Sequence, residues 1–272
     1  MNTSTDSVDD KVSILLVNYK TRRLTSLCLS LIKEKFDTRR LRVIVVDNDS
    51  KDDSLAHLRT LDWIQLIERR VDAREEGHIA HSSALDLGLL AVDSKYVLLM
   101  HTDTLLKDAL VIDLLMHRMK QAKAVCAGSV DQRNRKILSR LWRRSKRMFR
   151  RDNGSQADSS SRMLLRSNDD YIKSFCSLWD VSVIRKEGLK FCAANRNPGY
   201  EMQDRLLERG YRIARVNTGQ LFRHVAHVQG GTHAEIGVHN TNHRRAIYYR
   251  KLVSSYANGE QDRDIVENKK IN

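Results

Sequence analysis

An α/β fold, a mostly parallel sheet with helices on both faces, is the class that this 272-residue chain predicts. Three observations carry the prediction. Short apolar runs alternate with stretches of helical periodicity, the pattern of parallel strands joined by right-handed crossovers. The runs are continuous rather than alternating, as in strands buried on both faces. Two of them run into acids, Asp47 and Asp103, at the carboxyl edge where open α/β sheets bind ligands.

Val12 to Tyr19 (VSILLVNY) reads as the first strand, and Thr25, Leu27, Leu29, Leu31 and Ile32 set a helix that ends near Phe36. Leu41 to Val46 is the second strand. It runs into the polar cluster Asp47 to Ser54, which is both a turn and a helix start. Trp63 to Ile67 is a third short strand, and Ile79 to Val92 a helix with Gly77 before it and Gly88 inside it. Tyr96 to Thr104 (YVLLMHTDT) is the central strand, and a helix follows from Lys107 to Gln121. Ala124 to Val130 is a further strand. Beyond it Ile137, Leu138, Leu141, Trp142, Met148 and Phe149 fall on one helical face, and Asp152 to Ser161 is a polar loop. Strand-like Tyr171 to Ile184, helical Tyr200 to Arg209, strands Tyr211 to Val216 and Leu221 to Val228, and a helix over Asn240 to Tyr256 complete the chain. The expected division is one domain over residues 1–240 and a C-terminal helix and tail over 241–272. Within that domain, 1–130 is a Rossmann-like half, 131–170 a basic segment and loop, and 171–240 a second half added to the same sheet.

The net charge of +14 sits mostly in one segment. Gln132 to Arg151 holds ten Lys/Arg and no acid, so the remainder carries an ordinary +4. Four scattered cysteines without a CxxC pair predict reduced thiols and a cytoplasmic setting, not a disulfide frame or a zinc site. No apolar run approaches the roughly 18–20 residues that a membrane span needs, so attachment to a membrane, at its inner face, would be peripheral.

The chemistry gathers at strand ends. Asp47 can accept hydrogen bonds from a base or ribose, although an acid there also serves as a turn former. His101 and Asp103 can bind a metal; the alternative for His-Thr-Asp is a polar turn with Asp103 or Thr104 as a helix N-cap. Neither GxGxxG nor GxxxxGK[ST] is present, which counts against a dinucleotide-binding Rossmann enzyme and a P-loop NTPase. A diphosphate at such an edge is then held through a divalent cation, Mn2+ or Mg2+, between carboxylate and phosphates. His78 and His81 flank a helix start, where backbone amides could meet a phosphate. A solvent-exposed pair serves equally well, and neither is counted as a ligand.

The order of these pieces resembles the inverting family-two glycosyltransferases of the GT-A fold. The matching pieces are VSILLVNYK, VIVVDNDSKDDS, GHIAHSSALDLGL, YVLLMHTDT, PGYEMQDRLLERGYRI and HVQGGT, spread over Val12 to Thr232. The resemblance implies metal-dependent transfer of a sugar from a nucleotide-sugar donor to the hydroxyl of a glycan or lipid-linked acceptor. It places Asn18 and Asp47 around the nucleoside, and Asp103 on the metal as the last acid of the DxD motif. His101 takes that motif's first, nucleotide-facing position, where it can bond a nucleotide or ligate a transition metal but supplies no negative charge. Counting back from Gly210-Tyr211, Glu201 falls at the last acid of the ED-x-D motif, as catalytic base, while Pro198 and Gly199 replace the motif's other acids. A carboxylate suits that task, since the acceptor hydroxyl must lose its proton as the new bond forms. It could also simply favour a helix start, and Asp204 is the fallback base. His227 in HVQGGT matches a metal-ligating histidine. His224, three residues earlier on the expected strand, would face away from it. Asp47, Asp103, Glu201 and His227 are thus expected to converge on one pocket.

The basic segment over 132–151 fits an anionic membrane surface, at about 1 kcal/mol per basic residue near the lipid. A solvated helix packed on the sheet fits nearly as well. Nucleic acid is the least favoured partner. Two rival functions stand beside the transferase: a nucleotidyltransferase, and an inactive module that binds a nucleotide sugar or nucleic acid.

Overall fold

The computed structural model describes residues 12–71, 75, 77–133, 170–193, 196–228, 251, 253 and 254. The expected helix over Ile137 to Phe149 and the loop from Asp152 lie outside the described residues, as do Gly230-Gly231, most of the basic segment and nearly all of Asn240 to Tyr256.

The first half follows the sequence closely. Strands β1 (Val12–Asn18), β2 (Arg42–Asn48), β3 (Gln65–Arg69) and β4 (Tyr96–His101) alternate with helices α1 (Arg22–Lys35), α2 (Asp53–Leu58) and α3 (Gly77–Leu90). The four strands pair in parallel in the order β3-β2-β1-β4, so their carboxyl ends share one edge. Their continuous apolar runs split by alternation between two cores. Ile14, Leu16, Val43, Val45, Leu98 and Met100 face one core; Leu15, Val17, Ile44, Val46, Val97 and Leu99 face the other. Gly88 lets α3 lie close on the sheet: a Cβ there would come within 2.3 Å of Leu15 Cδ1 and 3.0 Å of Val46 Cγ2.

The second half extends the same sheet with a change of direction. Helix α4 (Leu110–Ala122) leads to β6 (Cys126–Gly128), yet β4's neighbour is β7 (Cys176–Asp180), which runs antiparallel between β4 and β6. β8 (Ile213–Arg215) closes the seven-stranded order, pairing in parallel with β6. The sheet is therefore mixed but mostly parallel. None of the helices among the described residues is long and apolar enough to cross a membrane.

Three expectations change here. Tyr171 to Ile184 is not one strand: it breaks after Asp180, whose carboxylate accepts from Ser182 N at 3.0 Å and Val183 N at 3.3 Å and caps α5 (Val181–Lys186). The cap overrides the β-propensity of Val181, Val183 and Ile184. Leu221 to Val228 is not one strand either. Asn217 accepts from Gly219 N at 2.8 Å and starts α7 (Thr218–His224), leaving only β9 (Val225–His227) extended. Third, the expected strand Tyr96 to Thr104 ends at His101, and His-Thr-Asp does not cap a helix as its alternative reading had it. Thr104–Leu106 forms β5, paired antiparallel with β9, with Thr104 opposite His227. Helix α6 (Tyr200–Glu208) forms as expected, entered through Gly199 at φ 75°.

Candidate active site

Two groups of polar side chains sit at the carboxyl edge of the parallel strands. The first joins β1 to β2. Asn18, fully buried, donates from Nδ2 to Asp47 Oδ1 at 2.6 Å, Ser54 Oγ at 2.9 Å and Ser50 Oγ at 3.0 Å. Its Oδ1 accepts from Thr25 Oγ1 at 2.7 Å and Thr21 Oγ1 at 3.1 Å. Asp47, also buried, accepts further from Ser50 Oγ at 2.5 Å and Ser50 N at 3.2 Å. Close bonding of this kind compensates the cost of burying so polar a group. The two loops are drawn tight enough that Lys20, Asp49 and Lys51 take positive φ of 52–59°, conformations costly for residues with a Cβ.

The second group lies at the end of β4, linked to the first through Thr21 and Thr102, whose hydroxyls are 3.3 Å apart. The β5–β9 ladder brings His227 back over the central strand. His227 Nε2 lies 3.2 Å from Asp103 Oδ1, and His101 Nδ1 lies 3.9 Å from the same oxygen. His101, Asp103 and His227 each offer an atom within 4.8 Å of the others. The far nitrogens are held from outside. His227 Nδ1 donates to the carbonyl of Gln132 at 3.0 Å, which leaves Nε2 to face Asp103. His101 Nε2 pairs with Ser174 Oγ at 3.0 Å. With the hydroxyl as acceptor, Nδ1 is bare toward Asp103. Phe175 stacks on the His227 ring at 4.6 Å. One carboxylate oxygen and two inward-facing imidazole nitrogens, oriented by a second layer of oxygen acceptors, fit a divalent cation such as Mn2+ or Mg2+.

The charges of these groups follow from their surroundings. Burial pushes His101 down to about 3, with His81 and His227 acting in the same direction and Asp103 opposing. Burial pushes His81 down to about 4. Burial also works against a charge on His227, but the adjacent Asp103 and its hydrogen bond outweigh it and raise the pKa above 6.5. Of the two rings beside Asp103, His227 is thus the one held toward the protonated form and His101 the one held neutral.

The remaining candidates fall elsewhere. His224 ends a helix rather than standing on a strand, and its Nδ1 meets Asp108 at 2.8 Å. Only His227 enters the cluster, as expected, though for a different reason. Glu201, in the first turn of α6, pairs with Arg205 and lines a small cleft with Gly188, Lys190 and Cys192 rather than with the histidines. Asp204 bonds Tyr171 Oη at 2.8 Å and Arg196 Nη1 at 2.6 Å. His81 is not a solvent-facing residue at its ring tip: Nε2 is closed off from water. Ser174 and the Gln132 carbonyl carried no sequence signal, because a hydroxyl and a backbone oxygen acquire their roles only through the fold.

A model of the family described as glycosyl transferase family 2 matches residues 13–164, more than half of the 272 residues. The chain belongs to glycosyl transferase family 2. Among solved structures, this family member is similar to a mannosyltransferase of Pyrobaculum calidifontis, in complex with GDP-Man and Mn2+, at TM-score 0.54 and 14% identity over 76% of this chain. It spans 55% of that enzyme's length. It is also similar to residues 1–349 of S. aureus TarS, at TM-score 0.51 and 13% identity, covering 92% of this chain and 72% of that one. At these identities the likeness is one of fold, the GT-A architecture. No curated protein sequence matches the chain.

Proposed function

We propose that this glycosyl transferase family 2 protein moves a sugar from a nucleotide-sugar donor to an acceptor hydroxyl, with inversion at the anomeric carbon. The observation that carries the reading is the His101–Asp103–His227 cluster at the carboxyl end of the central strand. A divalent cation bound there supplies positive charge opposite the leaving nucleoside diphosphate. His227 and His101 orient their inner nitrogens through Gln132 and Ser174. Asn18 and Asp47 shape the β1–β2 edge against which the nucleoside packs. Their mutual bonds favour a positioning role, with the rigid loop backbones presented to the base. Glu201 is the base in this reading; taking the acceptor's proton requires it to exchange Arg205 for the hydroxyl, and requires the acceptor to reach from the Glu201 cleft to the histidine cluster. The mannosyltransferase neighbour, bound to GDP-Man and Mn2+, supports a nucleotide sugar and manganese as the first reagents to try.

A glycan or lipid-linked acceptor, and an anionic membrane surface reached through the basic 132–151 segment in the cytoplasm, complete the proposal. The ten Lys/Arg without an acid in that segment support it. One catalytic domain over 1–240 and a tail over 241–272 is the proposed division.

The test is release of nucleoside diphosphate from UDP-, GDP- and dTDP-sugars by purified protein with Mn2+, after a thermal-shift screen of the same compounds. Turnover of one donor, lost in Asp103→Asn, is expected; no turnover of any donor with any glycan or lipid-linked acceptor would leave only a binding module. Glu201→Gln should retain donor binding and lose turnover, and full activity in that variant would remove Glu201 as base.

A further inference from the structure

The cluster holds one more ring than the triad requires. His81, in the second turn of α3, has an Nε2 closed off from solvent and without a hydrogen-bond partner. Its ring stands edge-on to that of His101, with centroids 5.2 Å apart at 85°, and the charge of Asp103 acts on it. A buried polar nitrogen left unbonded costs about 1–3 kcal/mol. Such an atom in a native fold calls for a reason, and an absent ligand is one. His101 thus has imidazole neighbours from two elements, His81 of α3 and, at a centroid distance of 6.0 Å, His227 of β9. The His81 nitrogen lies outside the set of mutually close ligand atoms, so joining them requires a side-chain rotation that brings it to them.

We propose that His81 is a fourth, imidazole ligand of this centre, and that the resulting three-imidazole, one-carboxylate set selects a borderline transition-metal cation over Mg2+. The inference rests on the reading that a cation binds at His101–Asp103–His227. Mg2+ demands hard oxygen donors and gives up its water reluctantly. Imidazole favours the later first-row divalent ions, and affinity rises from Mn2+ through Co2+ toward Zn2+ and Cu2+. A set with one negative charge and three neutral nitrogens therefore loses more for Mg2+ than for Co2+ or Zn2+. His101, standing where an acid would have served Mg2+, belongs to the same design, and His81 is the residue that completes it.

The experiment uses the full chain, stripped with a chelator, and Co2+ and Mg2+ alone as probes, read by visible d–d absorption and competition calorimetry. Wild type is expected to bind Co2+ about 100-fold or more tightly than Mg2+. His81→Phe keeps an aromatic ring against His101 without a nitrogen. It should weaken Co2+ by about 10–100-fold, alter the d–d bands and leave Mg2+ affinity unmoved. His81→Asn, which restores a polar tip but no imidazole, should behave alike; a thermal melt on both variants confirms that they are folded. Unchanged Co2+ affinity and spectrum in folded variants, with wild-type binding intact, overturns the fourth ligand alone. Equal wild-type affinity for Mg2+ and Co2+ overturns the selectivity. Failure of wild type to bind either ion overturns this inference together with the metal reading beneath it.

Discussion

The β1–β2 edge and the β4–β9 edge are neighbours built to opposite rules. At the first, Asn18 and Asp47 bond each other and four surrounding hydroxyls, so the network is nearly complete before anything binds. At the second, Asp103 faces the inner nitrogens of two imidazoles whose outer nitrogens are anchored to Ser174 and Gln132, and His81 Nε2 has no hydrogen-bond partner. A finished network stabilises and positions; an unfinished one is held open for a ligand. A single sheet edge can therefore carry stability on one side and binding on the other, with Thr21 and Thr102 as the seam.

Substitution should separate the two sides. Asp103→Asn is expected to lower divalent-cation affinity by about 100-fold or more, measured by calorimetry, with turnover lost and the melting temperature little changed. Asn18→Ala should do the reverse. Stranding Asp47 and the hydroxyls around it costs about 2–3 kcal/mol, or roughly 5–10 °C in melting temperature, with cation affinity retained. A variant pair in which both effects travel together would erase the distinction between the edges.

Acidity sharpens the contrast at smaller amplitude. His227 has its folded pKa raised above 6.5. Its pairing with Asp103 therefore adds stability below pH 6.5 that is lost as pH climbs through the folded value. Cation affinity runs the other way. A proton must leave His227 first, so affinity should fall about tenfold per unit below that pKa, as a pH series of Co2+ titrations would reveal. The smallest effect concerns thiols. Burial holds Cys28, Cys126 and Cys176 far from ionisation. A thiol reagent at neutral pH should therefore label only the part-exposed Cys192 until the chain unfolds.

The fold of the first half was legible because continuous apolar runs and helical spacing say the same thing twice, as at Val12 to Asn18 and at Tyr96 to His101. Legibility failed where a single side chain outvotes propensity. The caps at Asp180 and Asn217 turned expected strands into helices, and β5 forms only because β9 returns to pair with it. In the site, the proposed metal ligands Asp103 and His227 were readable from type and from motif order. His81 was not, since a histidine near a helix start looks the same in sequence whether it meets solvent or a neighbouring ring. Glu201 had a motif position to recommend it, but the motif does not encode its pairing with Arg205.

The placement of β7 has a consequence for how the chain comes into being. The strand that seals β4's open side is made about 75 residues after it, so the ribosome releases the parallel half with a raw hydrogen-bonding border exposed. A fragment ending at residue 169 would keep the parallel strands and all of the family-matching sequence, yet offer that border to any other copy nearby. Such a piece should precipitate rather than serve as a smaller enzyme.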